Sequence, residues 1–388
     1  MCRKVYILGA GASIEFLKNE KGESLSTQAL TAILCSKEAW KETFDEIKRI
    51  GGSLSNKIQM RDIDFNLDDF FFLIEDFVKD FDEIYSNSKR ICPEFLDFEK
   101  MIDYIDNVIF ILRNRKRENI SHYHPCIHLE KYFTKVAKRL NDLASRKEMR
   151  MIPILAREVL HYYINSCKVE EGSVELFRNY FLSEIDRYSH ISIVTLNYDT
   201  LLWEALKETD YFFGFNDNRF DKKEYFSKRY TISHLHGHQF FYPSPNNINM
   251  EQSGRDVFTK RVISFWTHDH CAITQKCQSV SFITGYQKEK NLQVAIYNSF
   301  YNKFVHDMLE ANEICCIGYG CRDHHVNSPL RLRMEDVDNT FVDYVKEEDE
   351  KNDSDFFMPM LERGGLTITN KTKRLVCGTK KFLKSNVN

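Results

Sequence analysis

The chain has 388 residues, with 54 Lys and Arg against 57 Asp and Glu, so its formal charge is -3 with histidine neutral. A hydrophobic share of 43%, including 30 Phe and 19 Tyr, supplies a folded interior and excludes a mainly disordered chain. The near-balance of charge excludes binding to nucleic acid by bulk attraction, and there is no strong direct nucleic-acid signal of another kind.

Length alone allows two or three ordinary domains, or one large α/β domain with an insertion. The 11 cysteines are odd in number, widely scattered and never spaced Cys-x-x-Cys, which points to reduced thiols rather than a disulfide scaffold or a zinc ribbon. No metal is expected. The adjacent Cys315 and Cys316 are expected to face opposite sides of a buried strand. No run approaches the ~18 apolar residues of a membrane helix, so a cytoplasmic protein with no membrane partner is expected.

In chain order, Val5 to Leu8 reads as a short apolar strand ending in Gly9-Ala10-Gly11-Ala12-Ser13, with a helix expected to begin near Ser13 or Ile14. Glycines let a chain turn tightly and bring backbone amides close to a diphosphate. The third glycine of the full dinucleotide fingerprint is missing, so nucleotide contact and an ordinary strand-to-helix turn both remain open. From about Leu25 to Tyr188 the spacing of apolar residues is mostly helical, most clearly over 67–85 and 95–114, with breaks near Gly51, Pro93, Pro125 and Gly172. Asp68 and Asp69 stand at the start of the densest Phe run, as helix-start acids or as pocket acids.

The pattern then changes. Ile191 to Leu196 reads as a buried strand and Thr200 onward as a helix, which places Asn197, Tyr198 and Asp199 at the strand's C-terminal tip. Open parallel sheets bind ligands at such tips, although helix capping explains Asn197 and Asp199 equally well. His234, His236 and His238 alternate just before or beside Gly237, a pattern open to a structural role, metal binding or one catalytic ring. Asn291 to Ala311 has helical spacing, and Ile314 to Ile317 reads as a strand ending in Gly318-Tyr319-Gly320. Asp323 and Asn327 then suit either a ribose or a helix cap. The acidic run over 345–355 reads as a solvated loop, and Leu366 to Ile368 and Arg374 to Val376 as short edge strands. One sheet assembled from both ends of the chain follows.

Taken together and in this order, GAGAS at 9–13, TLNYD at 195–199, HLHGH at 234–238 and GYGCRDHHVN at 318–327 resemble the sirtuin-related Rossmann core of bacterial antiphage NAD hydrolases. The resemblance implies an α/β fold in which a Rossmann-like parallel sheet carries a large α-helical insertion. Within a sirtuin-like domain spanning 1–388, it places the core at 1–40 and 185–330, the insertion at 41–184 and a variable end at 331–388. It implies NAD as substrate, with Gly9, Ala10, Gly11, Ser13, Asn197, Asp199, Gly318, Tyr319, Gly320 and Asp323 as cofactor-binding candidates. Asn197, His236 and Asp199 become the catalytic candidates, His236 as the base and Asp199 as a group that could orient it. Protein-deacylating sirtuins carry paired cysteines that are missing here, which favours hydrolysis of free NAD to ADP-ribose and nicotinamide. An NAD-dependent protein deacylase and a noncatalytic NAD- or ADP-ribose-responsive module are the alternatives. For partners, the resemblance implies a homo-oligomer and a separate hexameric ATPase of a defence system.

Overall fold

The structure is a computed structural model that describes residues 2–19, 27–54, 152–244, 247–251, 257, 260, 282–284, 288, 292–293, 295–343, 360–362 and 364–386. The helices expected over 67–85 and 95–114, Asp68 and Asp69, and the acidic run over 345–355 lie outside these residues. The chain forms two compact units, one of Met1–Ser26, Tyr163–Ile283 and Gln287–Asn388, the other of Thr27–Tyr162 and Thr284–Tyr286.

The strands of the main sheet are β1 (Arg3–Leu8), β2 (His190–Thr195), β3 (Tyr230–His234), β4 (Glu313–Ile317), β5 (Asp338–Asp343) and β6 (Thr372–Val376). The helices are α1 (Thr27–Leu34), α2 (Lys37–Leu54), α3 (Ile152–Ser166), α4 (Ser173–Ile185), α5 (Leu201–Leu206), α6 (Lys222–Ser227), α7 (Ala295–Leu309), α8 (His324–Met334) and α9 (Gly378–Ser385).

In the first unit the six-stranded sheet runs β6-β5-β4-β1-β2-β3, with every neighbouring pair parallel. Read from the β3 edge, this is the doubly wound 3-2-1-4-5-6 order, and the direction of winding reverses between β1 and β4. The expected Rossmann-type α/β sheet is therefore present. Strands beyond residue 330, β5 and β6, complete one half of it.

A parallel strand covered on both faces must be apolar on both, and Val5 to Leu8 are all buried. Val5 and Ile7 join Cys316 in one core, packed with Phe300 and Phe304 of α7 and Leu330 of α8. Tyr6 and Leu8 join Cys315 in the other, packed with Phe177 and Phe181 of α4, Leu201 of α5 and Phe382 of α9. Cys315 and Cys316 thus face opposite sides of β4, as period-2 alternation requires, and both are free thiols. At the N-terminal edge Lys4 is buried against Glu184 at 2.8 Å and Tyr188 at 3.3 Å. There the polar groups serve stability.

Register sets the other edge. Leu8 lies level with Ile317 and with Thr195, and Thr195 lies level with His234, so β1 to β4 finish together. The loops that follow them all open at one rim.

The first of these loops departs from the expected helix near Ser13. Ala10–Ala12 make a single 3-10 turn, and Leu17–Lys18 then pair as a short antiparallel strand with Lys168–Val169. The chain is held in this course by α9. Thr379 Oγ1 donates to the Gly11 carbonyl at 3.1 Å, and the Lys380 amide donates to Glu15 Oε2 at 2.7 Å. Cys377 gives α9 no side-chain cap, so the Glu15 carboxylate satisfies an amide that the helix end leaves orphaned. Glu15→Ala is expected to cost about 1 kcal/mol, a fall in Tm of about 2–4 °C by calorimetry, and an unchanged Tm would remove this role.

The second unit is helical among its described residues. Leu30, Leu34, Trp40, Ile47, Val159 and Leu160 are buried, Trp40 Nε1 donates to the Leu34 carbonyl at 3.0 Å and Thr43 Oγ1 to the Ala39 carbonyl at 2.9 Å.

Candidate functional site at the C-terminal rim of the sheet

The switch between β1 and β4 is closed by backbone packing. The Gly9 amide donates to the Ile317 carbonyl at 3.0 Å and the Gly11 amide to the Gly318 carbonyl at 3.1 Å. A Cβ on Gly9 would stand 2.5 Å from the Gly318 oxygen, and one on Gly318, whose φ is +58, would stand 2.3 Å from the Ala12 nitrogen. These two glycines are therefore required by each other's loop. The Ala12 and Ser13 amides are also bonded within the turn, which leaves the Ala10 amide, at its exposed tip, without a partner among the described residues. A Cβ on Gly320 would meet nothing within 4 Å. The space beside the turn is open there.

Tyr319 points the other way. It is buried, and its hydroxyl donates to Asn327 Oδ1 at 2.6 Å while Asn327 Nδ2 donates to the Cys321 carbonyl at 2.8 Å. Tyr319 and Asn327 thus hold the loop that enters α8, in which Cys321 takes φ +53, a left-handed conformation uncommon outside glycine.

Asn197 binds the glycine turn. Its Nδ2 donates to the Gly9 carbonyl at 2.9 Å and to Ser13 Oγ at 2.7 Å, and its Oδ1 has no partner among the described residues. Ser13 favours the ionised form of the Asp199 carboxylate, and Asp199 Oδ1 accepts the Leu201 amide at 3.0 Å at the start of α5. Burial of Asp199 raises its pKa, while the Ser13 and backbone bonds oppose that rise. Ser13 and Asn197, both singled out in the sequence, are bonded to each other, and Asp199 accepts the Leu201 amide at the start of α5, the capping reading of that residue.

The three histidines after β3 separate into two environments. His234 lies against Phe213, with ring centroids 5.9 Å apart and planes 18° from parallel, and 4.5 Å from the ring of His238. Both ring nitrogens of His234 and Nε2 of His238 are buried without a hydrogen-bond partner among the described residues. His238 Nδ1 accepts the Phe240 amide at 3.2 Å. Burial holds His234 well below the ordinary histidine range, and burial brings His238 down to about 3.

His236 has polar company. Its Nε2 lies 3.0 Å from Nε2 of His325 and 3.8 Å from Asp323 Oδ1, and the same Asp323 oxygen pairs with the Lys288 ammonium at 2.8 Å. His236, His325 and Lys288 are all buried. Burial, reinforced by the Lys288 charge, holds His236 well below its ordinary range although Asp323 pulls the other way. The cationic neighbours, Lys288 foremost, keep Asp323 ionised against the opposing effect of its burial. The carboxylate beside His236 is thus Asp323, which also starts α8 by accepting the Val326 and Asn327 amides on its backbone carbonyl.

One donor atom from each of His236, Asp323 and His325 lies within 4.8 Å of the other two, a convergence that metal sites share. Here the carboxylate already has the Lys288 cation, and the two ring nitrogens already bond each other.

Sequence reasoning did not reach His325, Lys288, or Tyr301, whose hydroxyl donates to the His325 carbonyl at 3.3 Å. His325 carried one signal, its place two residues after Asp323 at the start of a helix. Lys288 carried none, because its partner is 35 residues away.

The three neutral, buried histidines make folding acid-sensitive. A ring whose folded pKa is depressed binds its proton only on unfolding, so its contribution is complete above about pH 6.5 and is lost as pH falls. Stability is expected to drop by about 1 kcal/mol per ring between pH 6.5 and 5.5, measured by urea unfolding. Equal stability at the two pH values would contradict this burial.

Residues 191–354 match the family profile described as "SIR2-like domain". That span includes β2 to β5 and the loops bearing Asn197, His236, Asp323 and His325. A solved structure titled "Sir2-p53 peptide-NAD+" is 10% identical, with 75% of this chain and 97% of that chain covered and a TM-score of 0.30. No curated protein matches this sequence. Among the described residues no helix is long and apolar enough to cross a membrane.

Proposed function

We propose that this chain, whose residues 191–354 match a SIR2-like domain, is an NAD hydrolase that cleaves NAD to ADP-ribose and nicotinamide. One observation carries the reading: a buried, neutral histidine, His236, follows β3 at the same rim as the glycine turn of the β1/β4 switch point.

The nicotinamide of oxidised NAD is already cationic, so its departure returns charge to the leaving ring and leaves a ribosyl centre of oxocarbenium character. Positioning does much of the work in such a reaction. The open space beside Gly320 and the exposed Ala10 amide suit a diphosphate passing the turn. Asn197 Oδ1 suits a ribose hydroxyl or the attacking water as an acceptor, while its Nδ2 stays fixed on Gly9 and Ser13. His236 takes the proton of that water or hydroxyl, and its low proton affinity at rest keeps the base form populated. Tyr319 and Asp323 organise the loop behind it, and Gly9 and Ser13 hold Asn197.

The setting extends the same proposal: a cytoplasmic effector of bacterial antiphage defence, assembled as a homo-oligomer and activated by a separate hexameric ATPase. The segment over 41–184 is proposed as the helical insertion through which assembly or activation acts.

Mass spectrometry of NAD products from the full chain, alone and with any ATPase found encoded beside it, tests this reading. Nicotinamide and ADP-ribose formed without any peptide support the hydrolase. Release that requires an acyl-lysine peptide and yields acylated ADP-ribose identifies a deacylase instead, and bound but intact NAD identifies a binding module.

A further inference from the structure

His236 is proposed above as the base, yet its Nε2 is already occupied. The ring of His325 places its own Nε2 at 3.0 Å, inside hydrogen-bonding distance, and both rings are buried. Only one proton fits between two ring nitrogens at that separation. Either ring can hold that proton, and in both cases the contact occupies the Nε2 position of His236.

We infer that His325 masks the base: while its N–H is donated to His236, the lone pair that must take the substrate's proton is unavailable, and turnover begins only when the rings part. The inference rests on the NAD-hydrolase reading for its consequence, although the contact itself does not. His325 is a masking residue, since it acts through His236 and touches no reacting atom.

The surroundings hold the mask in place. His325 lies in the first turn of α8, and Tyr301 of α7 bonds its carbonyl at 3.3 Å. The Lys288 cation disfavours a second proton on His236, against the pull of Asp323, and burial of the ring acts in the same direction as Lys288. Protonating His236 would also put hydrogen on both Nε2 atoms and turn the 3.0 Å contact repulsive. The masked and working forms are therefore mutually exclusive. The loop that delivers α8 contains Cys321 at φ +53, so a shift of α8 has a strained residue at which to begin.

The test uses the full chain and two variants. His325→Phe removes the N–H and keeps a planar ring, whereas His325→Gln places an amide N–H near the same position. With NAD and no activator, His325→Phe is expected to release nicotinamide about threefold to tenfold faster than wild type, the shift allowed by losing one buried hydrogen bond. His325→Gln is expected to show a smaller rise. Where the wild-type chain cleaves NAD, a Phe variant that melts like wild type and cleaves it no faster overturns the mask.

Nitrogen chemical shifts of 15N-histidine give a readout independent of NAD chemistry. In wild type, His236 must show a protonated Nδ1 and a bare, hydrogen-bonded Nε2, and the reverse tautomer overturns the mask even if no variant folds. In His325→Phe the Nε2 signal must move toward that of an unbonded imidazole nitrogen. If no form of the chain cleaves NAD, the hydrolase reading falls, and this shift alone decides the mask: movement upholds it and constancy overturns it.

Discussion

His236→Ala is expected to slow nicotinamide release by a folded, activated assembly about a hundredfold or more, the usual contribution of a positioned general base. The effect should fall on kcat, with KM little changed, because a general base serves proton transfer rather than ground-state affinity. The physical case is specific to this ring among the three. His234 and His238 are enclosed with aromatic side chains, whereas His236 alone shares its environment with Asp323, Lys288 and His325. Its burial keeps it neutral and able to accept a proton. A variant that melts normally and retains full turnover would refute the base assignment, and the same two measurements separate lost chemistry from lost folding.

Gly318→Val is expected to destabilise the first unit by about 3–5 kcal/mol. The left-handed φ of +58 costs a non-glycine residue about 1–2 kcal/mol, more for a β-branched one, and overpacking adds about 1–3 kcal/mol. The overlap is with backbone, at 2.3 Å from the Ala12 nitrogen and the Gly11 carbonyl carbon, so no side chain can swing aside to relieve it. For a unit of this size the fall in Tm should be about 6 °C or more. Gly320→Ala, two residues on, meets nothing within 4 Å and should leave Tm within about 1–2 °C. A Gly318→Val chain as stable as wild type would show that the two loops do not pack at this distance. The pair of variants separates two roles inside one Gly-Tyr-Gly motif, since Gly318 is demanded by the fold and Gly320 leaves room.

Much of the sheet was legible because parallel strands buried on both faces must be apolar runs. Val5 to Leu8, Ile191 to Leu196 and Ile314 to Ile317 are such runs, and each ends in small or polar residues that mark the rim. The opposed faces of Cys315 and Cys316 followed from alternation alone. The helix expected near Ser13 did not form, for reasons that local spacing does not hold. Ser13 is bonded to Asn197, Leu17–Lys18 pair with Lys168–Val169, and α9 is fastened to Glu15 and Gly11. Partners between about 150 and 370 residues away decide the path of that turn.

The sequence by itself determined that several residues border the rim: the glycine turn at 9–13, Asn197 and Asp199, and the loop after β4 each follow an apolar strand directly, and chain continuity leaves them nowhere else to go. Only the tertiary structure decided what each does there. Strand order made the β1 and β4 loops neighbours, so Gly9 and Gly318 pack on each other. Register brought β1 to β4 to one level, and α8 carried Asp323 and His325 to His236 with Lys288 alongside. The physical reason is range. Apolar periodicity and turn chemistry act over a few residues, whereas hydrogen bonds, ion pairs and the pKa shifts they cause depend on distances across the fold that no local spacing encodes.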